Sequence, residues 1–289
     1  MRRIVFLFSA LAVMVGAGCE SASKSSALVF MSKREQNFEI YRLDLAGGTP
    51  VNLTNNLAID ILPDCSPNDE KIAFAAARGV WFDIFVMDAD GANPLNLTLH
   101  KSHEEHPAWS PDGKKIAFGS DRGSNYEIYA MDADGGNSVN LTQHEGYDVA
   151  PAWSPNGEKI AFMSKRDGNA EIYAMDADGA NPINLTHHPK FDSHAAWSPD
   201  GKKIAFVSKR DDNAEIYVMD ADGANPINLT HHPAIDGAPA WSPDGEKIAF
   251  MSKRDGNAEI YVMDADGTNL VRITHNPEID DSPAWLRLR

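Results

Sequence analysis

The sequence predicts an all-β protein, a six-bladed β-propeller of four-stranded antiparallel blades that is closed by pairing of its N- and C-terminal strands. The first observation behind this prediction is a repeat of 44 residues whose register never slips. The second is that each repeat holds four short apolar segments separated by turn residues, which is the pattern of one propeller blade. The repeat is marked by a ring of tryptophans at Trp109, Trp153, Trp197, Trp241 and Trp285.

One repeat shows how the strands are assigned. Pro151–Ser154 is a short inner strand that ends in a Ser-Pro-Asn-Gly turn, whose residues preset or tolerate turn dihedral angles. Lys159–Ser164 is apolar on both faces, as expected for a strand between neighbouring blades. Glu171–Asp176 is the third strand, and a hairpin turn leads from it to the outer strand Ile183–Thr186. Helical periodicity is absent, which argues against a helical solenoid.

The two ends of the chain predict how the ring closes. Leu28–Met31 aligns with the second strand of the repeat, so the first blade lacks its inner strand. Ser282–Arg289 is an inner strand with nothing after it, and we expect it to complete the first blade. Closure of this kind removes sheet edges that would otherwise promote aggregation. Cys65 stands where five later repeats have tryptophan, and we expect it to be a buried packing residue.

The first residues predict an export signal. Residues 1–18 have a positively charged start and an apolar run, Ile4–Val15, which is too short for a bilayer span of about 20 residues. The run ends in Gly16–Cys19, which resembles a lipoprotein box with Cys19 as the lipidated residue, although such boxes usually have Leu at the first position. Residues 19–27 are then a polar tether. The alternative is ordinary signal cleavage nearby, which leaves Cys19 as a free thiol or removes it.

The repeat also resembles a known family. Trp-Ser-Pro-Asp-Gly-Lys-Lys-Ile-Ala-Phe, followed by Glu-Ile-Tyr-Val-Met-Asp-Ala-Asp-Gly-Ala-Asn-Pro-Ile-Asn-Leu-Thr, is similar to the WD-like Pro-Asp repeat of TolB-type propellers over residues 28–289. The resemblance implies a bacterial cell-envelope protein that binds an envelope protein or peptide, with a Pal-like lipoprotein as one candidate. Two departures limit it. TolB-type proteins carry a separate N-terminal domain and are soluble in the periplasm, whereas this chain has no room for such a domain and looks lipid-anchored.

Three rings of charged residues recur at the period of the repeat, and all three belong on one face around the tunnel mouth. The arginines lie in the loop between the second and third strands, at Arg34, Arg78, Arg122, Arg166, Arg210 and Arg254. One set of acids precedes the inner strand, at Asp60, Glu104, Asp148, Asp192, Asp236 and Asp280. The other set opens the third strand, at Glu39, Asp83, Glu127, Glu171, Glu215 and Glu259.

These rings allow two interpretations. Because Arg–carboxylate pairs have a specific bidentate geometry, the favoured one is that they fasten the loops of the blades. The other is that part of the charge meets a partner or a cation, since an acidic mouth attracts basic groups. Both hold if the arginines pair with the third-strand acids and the acids that precede the inner strand stay available.

One loop breaks the repeat and is the expected contact site. Val80, Trp81 and Phe82 stand where other blades, such as the fourth and the sixth, have Gly-Asn-Ala. An aromatic pair in a polar loop is typical of a binding surface, although Trp81 could equally be buried between blades. We therefore predict a partner-binding face that comprises Trp81, Phe82 and the arginines from Arg78 onwards together with the acids of the first set. The alternatives are a small-ligand or cation site at the tunnel mouth, and an unrecognised lyase or hydrolase site.

Composition excludes one class of function. Asp and Glu number 42 against 26 Lys and Arg, a net charge of −16, which does not fit a nucleic-acid-binding surface. The motifs of hydrolases and phosphate-binding loops are missing, so we expect no enzymatic activity, no cofactor and no metal. Histidines in the loops could bind a transition metal, but we interpret them as duplicated surface residues. The prediction is a monomeric, non-enzymatic lipoprotein scaffold that contacts the membrane only through its anchor, at the periplasmic face of the outer membrane.

Overall fold

The computed structural model describes residues 26–34 and 36–287, and these residues form 24 β-strands in six four-stranded antiparallel sheets. The inner strands are β4 (Asp60–Cys65), β8 (Glu104–Trp109), β12 (Asp148–Trp153), β16 (Asp192–Trp197), β20 (Asp236–Trp241) and β24 (Asp280–Arg287). The second strands are β1 (Ser26–Ser32), β5 (Lys71–Ala76), β9 (Lys115–Ser120), β13 (Lys159–Ser164), β17 (Lys203–Ser208) and β21 (Lys247–Ser252).

The third strands are β2 (Glu39–Asp44), β6 (Asp83–Asp88), β10 (Glu127–Asp132), β14 (Glu171–Asp176), β18 (Glu215–Asp220) and β22 (Glu259–Asp264). The outer strands are β3 (Val51–Asn52), β7 (Leu95–Asn96), β11 (Val139–Asn140), β15 (Ile183–Asn184), β19 (Ile227–Asn228) and β23 (Val271–Arg272). Each outer strand has two residues, so it is shorter than the predicted Ile183–Thr186. The threonine instead uses its hydroxyl to accept a bond from the third strand, as Thr186 does from the backbone N–H of Ile172.

The predicted closure of the ring is confirmed. The first blade has the strand order β24-β1-β2-β3, so the C-terminal strand supplies the inner strand that the N-terminal repeat lacks. β1 pairs with β24 from Ser26 opposite Arg287 to Ser32 opposite Asp280. Blade 1 is therefore built from both ends of the chain, and blades 2 to 6 follow in sequence order. Ser26 belongs to β1, so the last two residues of the predicted tether 19–27 lie in a strand.

Every inner strand has a β-bulge near its start. In β12, Ala150 and Pro151 together oppose one residue of β13, because the register shifts between Val149 and Ala152. The bulged residue takes a left-handed conformation with positive φ, which is uncommon for residues other than glycine. The strand starts earlier than the predicted Pro151, because Asp148 and Val149 pair with β13 on the other side of the bulge. The six bulged residues form a ring around the axis at Leu62, His106, Ala150, His194, Ala238 and Ser282.

The core lies between adjacent blades. One cluster joins Ala161 and Ile172 of blade 4 to Ile204 and Phe206 of blade 5, and similar clusters join the other neighbouring blades. One phenylalanine in each second strand is completely buried, at Phe30, Phe74, Phe118, Phe162, Phe206 and Phe250. Burying such a side chain contributes about 1.5–3 kcal/mol each. Because each blade buries its faces against two neighbours, the whole ring is the unit that is stable.

The ring has two different faces. The arginine face carries the loops between second and third strands and the connections that lead into the inner strands. The turn face carries the Ser-Pro-x-Gly turns and the Asp-x-Asp-Gly turns that end the inner and third strands. Ser26 and Arg287 lie side by side on the turn face. None of the residues that the structure describes forms a helix long and apolar enough to cross a membrane.

Candidate functional site

The arginine of every blade is fastened to the acid that begins the inner strand of the same blade. Arg166 donates to Asp148 over 2.8 Å, and Arg210 donates to Asp192 over 3.1 Å. The guanidinium carbon of Arg166 also lies 4.8 Å from the centre of the Tyr173 ring, a cation–π contact. The six pairs are Arg34–Asp280, Arg78–Asp60, Arg122–Glu104, Arg166–Asp148, Arg210–Asp192 and Arg254–Asp236.

All six acids of this ring are fully buried, with side chains that are 0% exposed. Burial raises the pKa of Asp148 and Asp192, and it raises that of Asp60 to about 6, although the nearby arginines oppose this effect. The expectation that these acids stay available is therefore wrong. The carboxylates lie beneath the arginines, because an unpaired carboxylate would be costly to bury.

The third-strand acids make a different connection from the one the sequence predicted. Glu171 accepts hydrogen bonds from the hydroxyl of Thr186 at 2.6 Å and from the backbone N–H of His188 at 3.0 Å. Glu215 and Glu259 accept the equivalent bonds in blades 5 and 6. These acids fasten the connection that leads to the next blade, while the arginines fasten each blade internally. Of the three charged rings, the arginine and inner-strand acid rings differ in exposure: the arginine side chains are 11–31% exposed, and the acids beneath them are buried.

We call the arginine–acid pairs and the hydrogen bonds of the third-strand acids latches, because each ties a loop or connection to a strand. A third latch is present in five blades and absent from blade 2. In blade 4, the side-chain amide of Asn169 donates to the carbonyl oxygens of His188 at 2.8 Å and Lys190 at 3.3 Å, which fixes the connection between blades. The same asparagine recurs at Asn37, Asn125, Asn213 and Asn257, each with carbonyl oxygens of the following connection as acceptors. Blade 2 has Trp81 at this position. Its connection to blade 3 therefore lacks the amide latch.

The aromatic residues of blade 2 take two different environments. Trp81 is 39% exposed and meets the ring of His103 edge-on, with centroids 5.0 Å apart. Val80 beside it is 81% exposed. Phe82 is half-buried and packs against the core cluster between blades 2 and 3. Of the predicted aromatic pair, Trp81 therefore belongs to the surface, and Phe82 is partly committed to packing.

Two exposed apolar residues of the same blade were missed by the sequence analysis. Leu57 is 99% exposed and Ile59 is 41% exposed, both in the connection that leads into β4. The backbone N–H of Ala77 donates to the carbonyl oxygen of Ile59 at 2.9 Å, which joins this connection to the loop that carries Val80 and Trp81. We call Leu57, Ile59, Val80 and Trp81 the blade 2 patch. Comparison of the repeats could have found Leu57, because the next two blades have Lys101 and Glu145 in its place.

Two further sequence predictions concern cysteine and metal sites. Cys65 is half-buried against the cluster between blades 1 and 2, and burial raises the pKa of its thiol well above the usual value. Cys19 and the signal segment 1–18 lie outside the described residues. Within residues 26–34 and 36–287, no group of three or more His, Cys, Asp or Glu side chains could hold a metal ion.

Comparison with known proteins identifies relatives of the repeat and of the fold. A family model described as the TolB beta propeller domain matches residues 63–148, 138–236 and 228–287. TolB from Acinetobacter baumannii is similar in structure with a TM-score of 0.80 and 23% identity, over 90% of this chain and 66% of that one. A candidate TolB from Agrobacterium tumefaciens is similar with a TM-score of 0.72 and 20% identity, over 92% of this chain and 99% of that one.

The fold is also shared with an enzyme. Oligogalacturonate lyase from Vibrio parahaemolyticus is similar with a TM-score of 0.60 and 15% identity, over 86% of this chain and 74% of that one. No curated protein sequence matches the chain. At these identities the solved structures establish the fold, and the chain spans just under two thirds of the Acinetobacter protein.

Proposed function

The chain belongs to the TolB beta-propeller domain family, and from this premise we propose that it is a non-enzymatic scaffold of the bacterial cell envelope that binds a protein or peptide partner. The partner docks on the arginine face at the blade 2 patch, and a Pal-like lipoprotein is the first candidate. The chain is held at the periplasmic face of the outer membrane through a lipid on Cys19, after removal of residues 1–18.

The observation that carries this proposal is the blade 2 patch. Four apolar side chains are exposed on the loops of blade 2, and at the positions of Val80 and Trp81 the other blades have polar residues or glycine. The position of Ile59 is less distinctive, because its equivalents Phe191 and Ile235 are also exposed. Trp81 also takes the place of a latch asparagine, so it does not continue the structural role that this position has in five blades. Exposed aromatic and aliphatic side chains with arginines nearby are typical of binding hot spots. Arg78 is the most exposed arginine of its ring, at 31%, and lies in the same loop.

The non-enzymatic assignment rests on the repetition of the face. The Arg–carboxylate pairs are the same in all six blades and serve the structure, whereas catalysis usually needs a pair of titratable groups with different environments. Because a lyase has the same fold, the fold alone assigns the chain to neither class.

Site-specific photo-crosslinking in cells tests the docking site. A photo-reactive amino acid replaces Val80 in the full-length protein, and the attached proteins are identified by mass spectrometry. The matched control carries the same amino acid at Asp212, which has the same loop position in blade 5 and is 89% exposed. We expect one envelope protein to be captured from position 80 and not from position 212.

A second variant keeps the test independent of folding. Trp81→Asn restores the residue of the other five blades, so the variant should fold and lose the crosslink from position 80. Equal capture from both positions, or capture that survives Trp81→Asn, would contradict docking at the blade 2 patch. The anchor is tested separately by labelling with a fatty-acid probe, which we expect to mark the native protein and not Cys19→Ala.

A further inference from the structure

The central tunnel contains a cavity of about 380 Å³, and none of the residues that form the latches lines it. Its wall is made by the inner strands, from the bulged residues to the tryptophans, and it reaches Pro199 and Pro243 in the turns after β16 and β20. The cavity therefore runs from the bulge ring towards the turn face, opposite to the blade 2 patch. Its volume lies within the range of small-ligand pockets, about 300–1,000 Å³.

Three residues in this wall break the repeat. Asp64 stands where the other five blades have alanine, at Ala108, Ala152, Ala196, Ala240 and Ala284. His106 and His194 stand on the bulge ring where blades 4 and 6 have Ala150 and Ala238. The rest of the wall is mostly proline, alanine and tryptophan, so these three side chains give the cavity most of its polar character. Deviations from the repeat therefore occur in the tunnel wall as well as in the loops of blade 2.

Asp64 is a carboxylate in an apolar wall without a cationic neighbour. Its Oδ2 atom accepts a hydrogen bond from the backbone N–H of Trp109 at 2.7 Å, and no lysine or arginine lines the cavity. Burial raises its pKa to about 7, against the opposing effect of that backbone hydrogen bond. A carboxylate in such surroundings is stabilised strongly by a cation that enters the cavity, because the attraction is poorly screened there.

The two histidines each add one hydrogen-bond donor and one acceptor, and no charge. Their ring centres lie 6.0 Å apart although they belong to blades 3 and 5, so both imidazoles reach towards the axis and narrow the tunnel. Burial lowers the pKa of both rings, to about 3 for His106, so each is neutral at pH 7. Nδ1 of His106 is buried without a hydrogen-bond partner among the described residues. The three unusual side chains therefore offer a carboxylate and two neutral imidazoles, each with one acceptor nitrogen.

We propose that the tunnel binds a small organic cation with a primary ammonium group, which pairs with the Asp64 carboxylate in the cavity that His106 and His194 also line. The apolar part of the ligand lies against the prolines and tryptophans of the wall. An ammonium carries three donors and no acceptor, so it can donate to the carboxylate and to the acceptor nitrogen of a neutral imidazole. The net charge of −16 favours the approach of cations and opposes that of anions. This site is separate from the proposed docking patch and does not depend on it.

Calorimetric titration of the native protein with n-butylammonium tests the proposal, with 1-butanol and butyrate as neutral and anionic probes of similar size. We expect n-butylammonium to bind at pH 8 and both controls to bind at least tenfold more weakly. Because the cation favours the ionised carboxylate, its affinity should fall as the pH is lowered through 7. The same titration is made with Ca²⁺ and Zn²⁺.

The sequence supplies its own control variants. Asp64→Ala gives blade 2 the residue of all other blades, and His106→Ala gives blade 3 the residue of blade 4, so both variants should fold. We expect Asp64→Ala to weaken n-butylammonium at least tenfold and His106→Ala to weaken it less. Equal binding of 1-butanol, unchanged binding to Asp64→Ala, or a site that takes Zn²⁺ and ignores n-butylammonium would overturn the proposal.

Discussion

Removal of one latch arginine is the most direct test of the energetics of the ring. In blade 5, Arg210 is 13% exposed and Asp192 is 0% exposed, and the two side chains are 3.1 Å apart. Arg210→Ala leaves a buried carboxylate without its cation, which typically costs about 3–5 kcal/mol. It also removes the contact of the guanidinium with the Tyr217 ring, 4.8 Å away. We expect the free energy of unfolding to fall by about that amount, measured by urea denaturation of the purified protein.

The matched control lies in the same blade. Lys203 and Asp220 form an ion pair at 2.6 Å, but their side chains are 43% and 33% exposed. A pair of this kind contributes about 0–1 kcal/mol, so Lys203→Ala should change the urea midpoint little. The double variant Arg210→Ala with Asp192→Asn should recover part of the loss, because it leaves no uncompensated charge.

The pH dependence gives an independent check on this reasoning. Burial already raises the pKa of Asp192, and loss of Arg210 removes an opposing influence. A carboxylate with a raised pKa in the folded state stabilises the fold at low pH and loses that contribution as the pH rises. The defect of Arg210→Ala should therefore shrink as the pH is lowered from 8 to 5. Equal losses for Arg210→Ala and Lys203→Ala, or a defect independent of pH, would refute the buried-latch explanation.

Four further outcomes are expected. Deletion of residues 282–289 removes the inner strand of blade 1 and should yield unfolded or oligomeric protein by light scattering, whereas a monomer with unchanged melting contradicts closure by this strand. Gly223→Ala should destabilise more than Gly168→Ala in urea denaturation, since both have positive φ but only at Gly223 would a Cβ meet a carbonyl oxygen, at 2.3 Å. Cys65 should react slowly with a thiol reagent until urea unfolds the protein, because burial raises the pKa of its thiol, and fast native reaction contradicts this. Asp64→Ala should raise Tm more at pH 8 than at pH 5, because a carboxyl with a pKa of about 7 opposes folding increasingly as the pH rises; an equal gain at both pH values contradicts this.

The repeat allowed the fold to be predicted, because strict periodicity fixes blade number, strand order and closure together. Each strand of the repeat has one environment in six copies, so local preference and tertiary packing agree. The left-handed bulge at Ala150 was not predicted. Alanine has no preference for that conformation, so the residue type at this position gave no signal of the bulge, which itself bends the strand locally.

The partners of the charged rings could not be predicted from spacing alone. Arg166, Asp148 and Glu171 recur with the same period, so periodicity cannot tell which acid the arginine meets. The answer depends on which acid lies beside the arginine in three dimensions. Asp148 begins the inner strand and pairs with the last residue of β13, and Arg166, two residues beyond that end, donates to it. Similarly, the deviation at Trp81 was visible in the sequence, but its exposure depends on the position of His103 in the next connection.

The first strand that the structure describes, β1, is hydrogen-bonded on both sides, which has a mechanical consequence. β1 forms six register pairs with β2 and six with β24, and the chain leaves it on the turn face. With an anchor at Cys19 and a partner on the arginine face, tension between them would run along the strand. The ladder bonds are perpendicular to that direction, so they would bear the load together and not open one by one. If the proposed anchor and partner are both present, closure of the ring by the last strand suits the protein to transmit force between them.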